Sequence, residues 1–230
     1  MHELISRIKY KFNPKIPGVG KVRFGDLRRV RAIGRNFGLG RGVPIDRYYI
    51  ENFLARHSDD IKGRVLEIQD NEYTKQFGGQ QVKQSDVLDI DKDNHRANIV
   101  ADITKAENMP ADFYDCIILT QVLSYLCNVK DGLNTVYRIL KPGGVLLLTV
   151  PGISQTGGGA GHSFFTEVST KNLIESIFFQ QEINMESHGN VLVAISFLHG
   201  LTIGELTPKE LDFKDRDYQV VVTARVVKKG

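Results

Sequence analysis

The sequence predicts an α/β fold: a doubly wound, mostly parallel sheet of seven strands with an antiparallel last strand, preceded by a basic N-terminal arm. Three observations predict it. From residue 45 onward short apolar stretches of strand type alternate with stretches of helical period. Two strands, DCIILT (115–120) and VLLLTV (145–150), are apolar without alternation, as strands covered on both faces are. A chain of 230 residues, 41% hydrophobic and 25% charged, is large enough for one sizeable core. Right-handed crossovers then fix the doubly wound layout.

Taken in order, residues 1–44 read as an arm. Gly18, Gly20, Gly25, Gly34, Gly38, Gly40 and Gly42, with Pro14, Pro17 and Pro44, break any helical or strand period, so it is mostly loop. Residues 1–47 carry twelve Lys/Arg against three Asp/Glu, while the whole chain has a net charge of only +3. Such an arm either meets an anionic partner or pairs as a solvated extension with the acidic body. Residues 45–230 form a single domain. Ile50, Phe53 and Leu54 fall at helical spacing in IDRYYIENFLARHSDDI, with Asp46 at the start. Strands follow at RVLEIQ (64–69), QQVKQSDVLDI (80–90), ANIVAD (97–102) and DCIILT. Val129, Leu133, Val136, Ile139 and Leu140 make a helical face in VKDGLNTVYRIL, and KPGG turns the chain into VLLLTV. A helix at 169–178, a strand at 181–187, an apolar helix at 190–201 and a terminal strand at 218–227 complete the pattern, the two late strands forming an antiparallel edge.

Composition excludes several classes. Cys116 and Cys127 make neither a disulfide framework nor a C-x-x-C metal site, which suits a reducing cytoplasm, and the six histidines gather into no metal-ligand spacing. No apolar stretch approaches the roughly 20 residues needed to span a bilayer, and no signal-peptide pattern opens the chain. There is no internal repeat, and the one low-complexity tract is GGGAG at 157–161.

In open parallel sheets ligands bind beyond the carboxyl ends of the strands, where the strand order reverses. That places Glu67 to Asn71, Asp86 to Asp91, Asp102, Thr120 with Gln121, and the residues from Pro151 onward at the site. Acids at three successive strand ends suit a ligand rich in donors, such as a nucleoside with hydroxyls, an exocyclic amine and a cationic amino acid group. They suit pyrophosphate poorly. A dinucleotide enzyme rests its pyrophosphate on a glycine loop at a helix N-terminus, whereas this loop offers Asp70 and Glu72, and no G-x-x-x-x-G-K-[ST] loop occurs.

GRVLEI, followed by SDVLDID, ADITKAENMPADFYDCIILTQVLSYL and RILKPGGVLLLTVPG, resembles the core of class I S-adenosylmethionine-dependent methyltransferases over about residues 60–152. RGVPIDRYYIENFL, EIQDNEYTKQFGG and GNVLVAISFLHGL further resemble a bacterial subgroup often found near or fused to glycosyltransferases. The resemblance implies a Rossmann-like domain with S-adenosylmethionine as cofactor. It places Glu67 and Gln69 in the cofactor loop, Asp86 and Val87 at the ribose, Asp102 and Ile103 beside the adenine, and Thr120 with Gln121 on the methionine side. In similar enzymes N-terminal segments fold over the cofactor, so an Arg or Tyr of RGVPIDRYY, Tyr48 among them, is a candidate to meet its carboxylate; the plain alternative is a helix start with one packed and one exposed aromatic. One departure matters: the usual G-x-G-x-G after the first strand is replaced by Gln69, Asn71 and Tyr73.

Methyl transfer from a sulfonium disperses charge, so positioning and exclusion of water supply much of the acceleration. A hydroxyl acceptor still needs a base. His162, after GGGAG and before SFFT, is the candidate, on a loop that reads either as a mobile lid or as plain surface. His188 and His199 flank an apolar helix and read as packed or capping residues. The expected function is transfer of a methyl group to a small-molecule or saccharide acceptor, by O-methylation. The alternatives are a scaffold that has lost its cofactor and, ranked last because the arm lacks interleaved aromatics, a nucleic acid methyltransferase.

Overall fold

The computed structural model describes residues 16–156, 161–179 and 182–229. Residues up to Ala32 belong to one compact unit and those from Ile33 to another. In the first, the described residues include a 3-10 turn, Gly25–Leu27, bordered by Arg28 over the Phe24 ring. Among the described residues every α-helix and β-strand lies in the second, and so do the last residues of the glycine-rich arm.

Seven strands form one sheet: β1 (Gly63–Ile68), β2 (Val82–Asp89), β3 (Ile99–Val100), β4 (Tyr114–Thr120), β5 (Leu140–Pro151), β6 (Glu182–His188) and β7 (Val221–Val227). Their order is β3-β2-β1-β4-β5-β7-β6. The first five are parallel, and β7 runs antiparallel between β5 and β6. The order reverses between β1 and β4, which opens a crevice at their carboxyl ends.

Side chains alternate across this sheet, so the two apolar faces come from neighbouring residues of the same strands. Leu66, Ile117, Leu119, Leu146 and Leu148 pack on one face with α3 (Val129–Ile139) and α4 (Glu167–Glu175). Val65, Cys116, Ile118 and Leu147 pack on the other with Ile50, Phe53 and Leu54 of α1 (Ile45–Arg56). Tyr49 of α1 also joins Val193 and Phe197 of α5 (Val191–Leu198). The caps explain the helix starts. The side chains of Asn128, Thr166 and Asn190 each accept the N–H of the residue three further on.

Two helices carry no apolar period and escape the sequence pattern. α2 (Glu72–Phe77) follows β1, and α6 (Pro208–Asp212) is set by Pro208 at its first turn and a capping box between Thr207 and Glu210. The third strand is shorter than ANIVAD suggests, because Asn98 bonds back to Val87 at its start.

His188 is buried at the end of β6. It stacks on Tyr49 with ring centroids 5.3 Å apart and sets Nε2 3.0 Å from Thr223 Oγ1. Burial pushes its pKa down to about 4, against the pull of Glu186 and with help from Lys214 and Arg56. The fold thus holds His188 neutral while the unfolded chain takes up a proton near pH ~6.5. This contribution is fully present above that value and is lost as pH falls toward 4. Urea unfolding between those limits should show stability dropping with acid in the native chain and a flatter profile in His188→Gln; equal slopes would contradict the assignment.

Candidate functional site

The crevice is built first by the turn after β1. Gln69 stands in the left-handed region at φ 75°, where the usual motif has its first glycine. Its N–H donates to Leu88 O and its carbonyl accepts from Asn94 Nδ2, at 2.9 and 2.7 Å. The turn therefore keeps a glycine-like path without the glycine. Glu67, 2% exposed, holds the far side. Its carboxylate accepts from the backbone N–H of Tyr73 and from both N–H and hydroxyl of Thr74, at 3.2, 2.8 and 2.7 Å. Burial pushes its pKa up to about 7, with those donors opposing. Glu67 thus ties β1 to the first turn of α2. Asn71, Glu72, Lys75 and Arg96 line a cavity of about 300 Å³ beside this loop, with Arg96 bonded to Glu72 at 2.9 Å.

At β2 the register separates two acids. Asp86 pairs with Leu66, three residues short of the strand end, and is 1% exposed. Its oxygens accept from Arg64 Nε, Asn98 Nδ2 and Gln84 Nε2 at 2.6, 2.8 and 3.1 Å. These donors outweigh desolvation and hold its pKa below the usual carboxylate value. Val87 is buried, with its backbone N–H and carbonyl both bonded to Asn98. Neither group reaches the edge; Asp89, the last residue of β2, does. Asp89 accepts from Asp91 N–H and Asn94 Nδ2 at 3.0 and 2.6 Å. The strand runs three residues beyond Asp86, close to the end expected from QQVKQSDVLDI (80–90), and this sets Asp89 rather than Asp86 at the edge.

After β3, Asp102 accepts through Oδ1 from the N–H and hydroxyl of Thr104, at 2.9 and 2.7 Å, which lowers its pKa. Ile103 beside it is buried in the core. Thr120 ends β4, and Gln121 follows in the left-handed region at φ 59°, its N–H bonded to Thr149 O at 2.8 Å. The side-chain Nε2 of Gln121 is buried with no partner among the described residues. A buried donor without an acceptor costs about 1–3 kcal/mol.

Loops after β4 and β5 are laced together. The N–H groups of Gly161 and His162 both donate to Ser124 O, at 3.2 and 3.1 Å, and Ser124 Oγ donates to Gln121 O at 2.9 Å. His162 is exposed there, its Nε2 3.7 Å from Cys127 Sγ. Residues 157–160 of the glycine-rich stretch, expected as a lid hinge, lie outside the described residues.

Tyr48 points elsewhere: its hydroxyl donates to Asp212 Oδ1 of α6 at 2.7 Å, a bond that raises its pKa. Arg47 faces the cofactor loop instead, donating to the Tyr73 hydroxyl with its guanidinium 5.3 Å from the ring centroid. Tyr73 occupies the third glycine position, so the arginine of RGVPIDRYY meets the altered loop directly.

A methyltransferase domain family model matches residues 44–188. Among solved structures, the chain is similar to a SAM dependent methyltransferase from Archaeoglobus fulgidus, with a TM-score of 0.55, 12% identity, and coverage of 79% of this chain and 94% of that one. It is also similar to the N-methyltransferase NodS from Bradyrhizobium japonicum WM9, with a TM-score of 0.50, 17% identity, and coverage of 81% and 97%. The cyclase SpnF shares the fold at a TM-score of 0.56 and 14% identity, over 87% of each chain. At these identities the structural likeness is one of fold. No curated protein sequence matches.

Exchanging Glu67 for Gln puts an amide where backbone donors converge. Glu67→Gln should lose about 1–3 kcal/mol of stability in urea unfolding, as expected for a buried donor left unpaired; no loss would return the carboxylate to a passive role.

Proposed function

Because the chain belongs to the class I S-adenosylmethionine-dependent methyltransferase family, we propose that it methylates a hydroxyl of a small-molecule or saccharide acceptor, with His162 as the base. The bound cofactor supplies an electrophilic methyl group; everything else falls to the protein. The observation that carries the reading is the way Ser124 O binds the N–H groups of both Gly161 and His162, which sets an exposed imidazole on the loop over the ends of β4 and β5.

The residues fit the cofactor. Asp89 is assigned the ribose hydroxyls, a role the family resemblance implied for Asp86 and Val87, and Asp102 with Ile103 the adenine side. Gln121, with its unpartnered Nε2, and Thr120 take the methionine side, where an oxygen would complete the amide. Gln69 and Glu67 serve by holding the turn. Arg47 takes the place first considered for Tyr48 as the cation facing the loop.

For the acceptor, the imidazole receives the hydroxyl proton as the oxygen attacks. A nitrogen acceptor would need no such base, so the effect of removing His162 reports on the acceptor's chemistry.

Calorimetric titration with S-adenosylhomocysteine should show Asp89→Ala weakened by about tenfold or more, as loss of a charge-assisted hydrogen bond predicts, while Asp86→Ala chiefly lowers stability. Equal affinity of Asp89→Ala and native protein would remove the ribose assignment. With the acceptor found as the extract component that gains one methylene in mass, His162→Ala should lose about a hundredfold or more in turnover with cofactor affinity kept. Unchanged turnover would exclude the base and point to a nitrogen acceptor.

A further inference from the structure

A cavity of about 960 Å³ lies at the opposite end of the sheet from the crevice. Two register breaks open it. Gly63 pairs with Val82 and Arg64 with Gln84, so Lys83 is left over as a bulge. Tyr114 pairs with Leu140 and Cys116 with Val145, so Lys141–Gly144 loop out opposite one residue, with Gly143 at φ 78° in their turn. Each break delivers a lysine to the cavity wall. Lys62 and Arg64 at the start of β1 and Arg225 of β7 add three more cations.

The acids of the wall are already taken. Asp115 accepts from Arg64 N–H and Lys141 Nζ at 2.7 and 2.8 Å, and Asp60 accepts from Arg225 Nε and Nη2 at 2.7 and 3.0 Å. Outside the wall, Glu182 and Asp86 hold the remaining faces of Arg225 and Arg64. The side-chain ammonium groups of Lys62 and Lys83 form no hydrogen bond or ion pair among the described residues; the Asp115 carboxylate also attracts Lys83, and the wall still sets five cations against two acids. No aromatic ring lines the cavity, so nothing there stacks a base.

We propose that this cavity is a second ligand site, one that takes an oligophosphate chain between Lys62 and Lys83. Point-like ammonium groups suit phosphate oxygens without demanding bidentate geometry, and a cleft of this size admits several linked phosphates. The site is separate from the crevice and does not rest on the methyl-transfer reading.

Titration of the full chain with tripolyphosphate in 0.1 M salt (about a 10 Å screening length) tests it. The native protein should bind one equivalent, more weakly as salt rises, and the Lys62→Ala/Lys83→Ala double variant about tenfold or more weakly. Lys83→Glu alone should lose binding as well, and both substitutions fall on exposed side chains. Uridine triphosphate binding more tightly than tripolyphosphate would assign the source to a nucleotide, and equal binding to a free phosphate chain. No saturable binding by the native chain, or equal binding by the variants, as attachment to the basic arm would give, overturns the proposal.

Discussion

A single buried carboxylate sets the geometry on which the site depends. Glu67 ends on the inner side of β1 and gathers the first free N–H groups of α2, so strand and helix start are joined through one side chain. Helix N-termini leave such groups without intrahelical partners, and a carboxylate is well matched to their positive end. With α2 so anchored, the turn between them has few paths. Gln69 takes the left-handed one at a modest conformational cost that glycine would avoid, and Asn94 and Leu88 hold it there. Of the three positions where the usual motif has glycine, only Gln69 stands in the left-handed region, and Asn71 does not.

The sheet then divides its charged groups by depth. Acids at strand ends, Asp89 and Asp102, stay partly solvated, with their oxygens only partly engaged by local turns. Asp86, deeper in β2, is fully enclosed and must carry its own counter-charge, which Arg64 supplies while lying 4.0 Å over the Phe113 ring. Burying an ionised carboxylate is costly unless a counter-charge or converging donors hold it, and Asp86 has both where Glu67 has donors alone. The same residue type at positions three apart thus serves packing in one case and the crevice in the other.

Much of this architecture was legible in the sequence. Continuous apolar runs such as DCIILT and VLLLTV identify central strands because both their faces are buried, and the order of strands and helices leaves little topological freedom. What the pattern could not fix was which acid of β2 stands at its edge. Asp86, Asp89 and Asp91 all stand in the right segment, and only pairing with β1 tells which one meets the crevice. α2 and α6 escaped because caps, not periodicity, define them. In RGVPIDRYY a cofactor contact and a plain helix start with one packed and one exposed aromatic were equally open, and the Tyr48 hydroxyl is bonded to Asp212, far along the chain. The lacing of Ser124 to His162 likewise joins segments that no local pattern connects.

A crystal of the protein grown with S-adenosylhomocysteine tests the central claim most directly. The account predicts the ribose against the Asp89 carboxylate, the adenine beside Asp102 and Ile103, and an oxygen of the amino acid end within hydrogen-bond reach of Gln121 Nε2. A nucleoside seated elsewhere, or side chains of Gln69 and Tyr73 filling the place it should occupy, would contradict it.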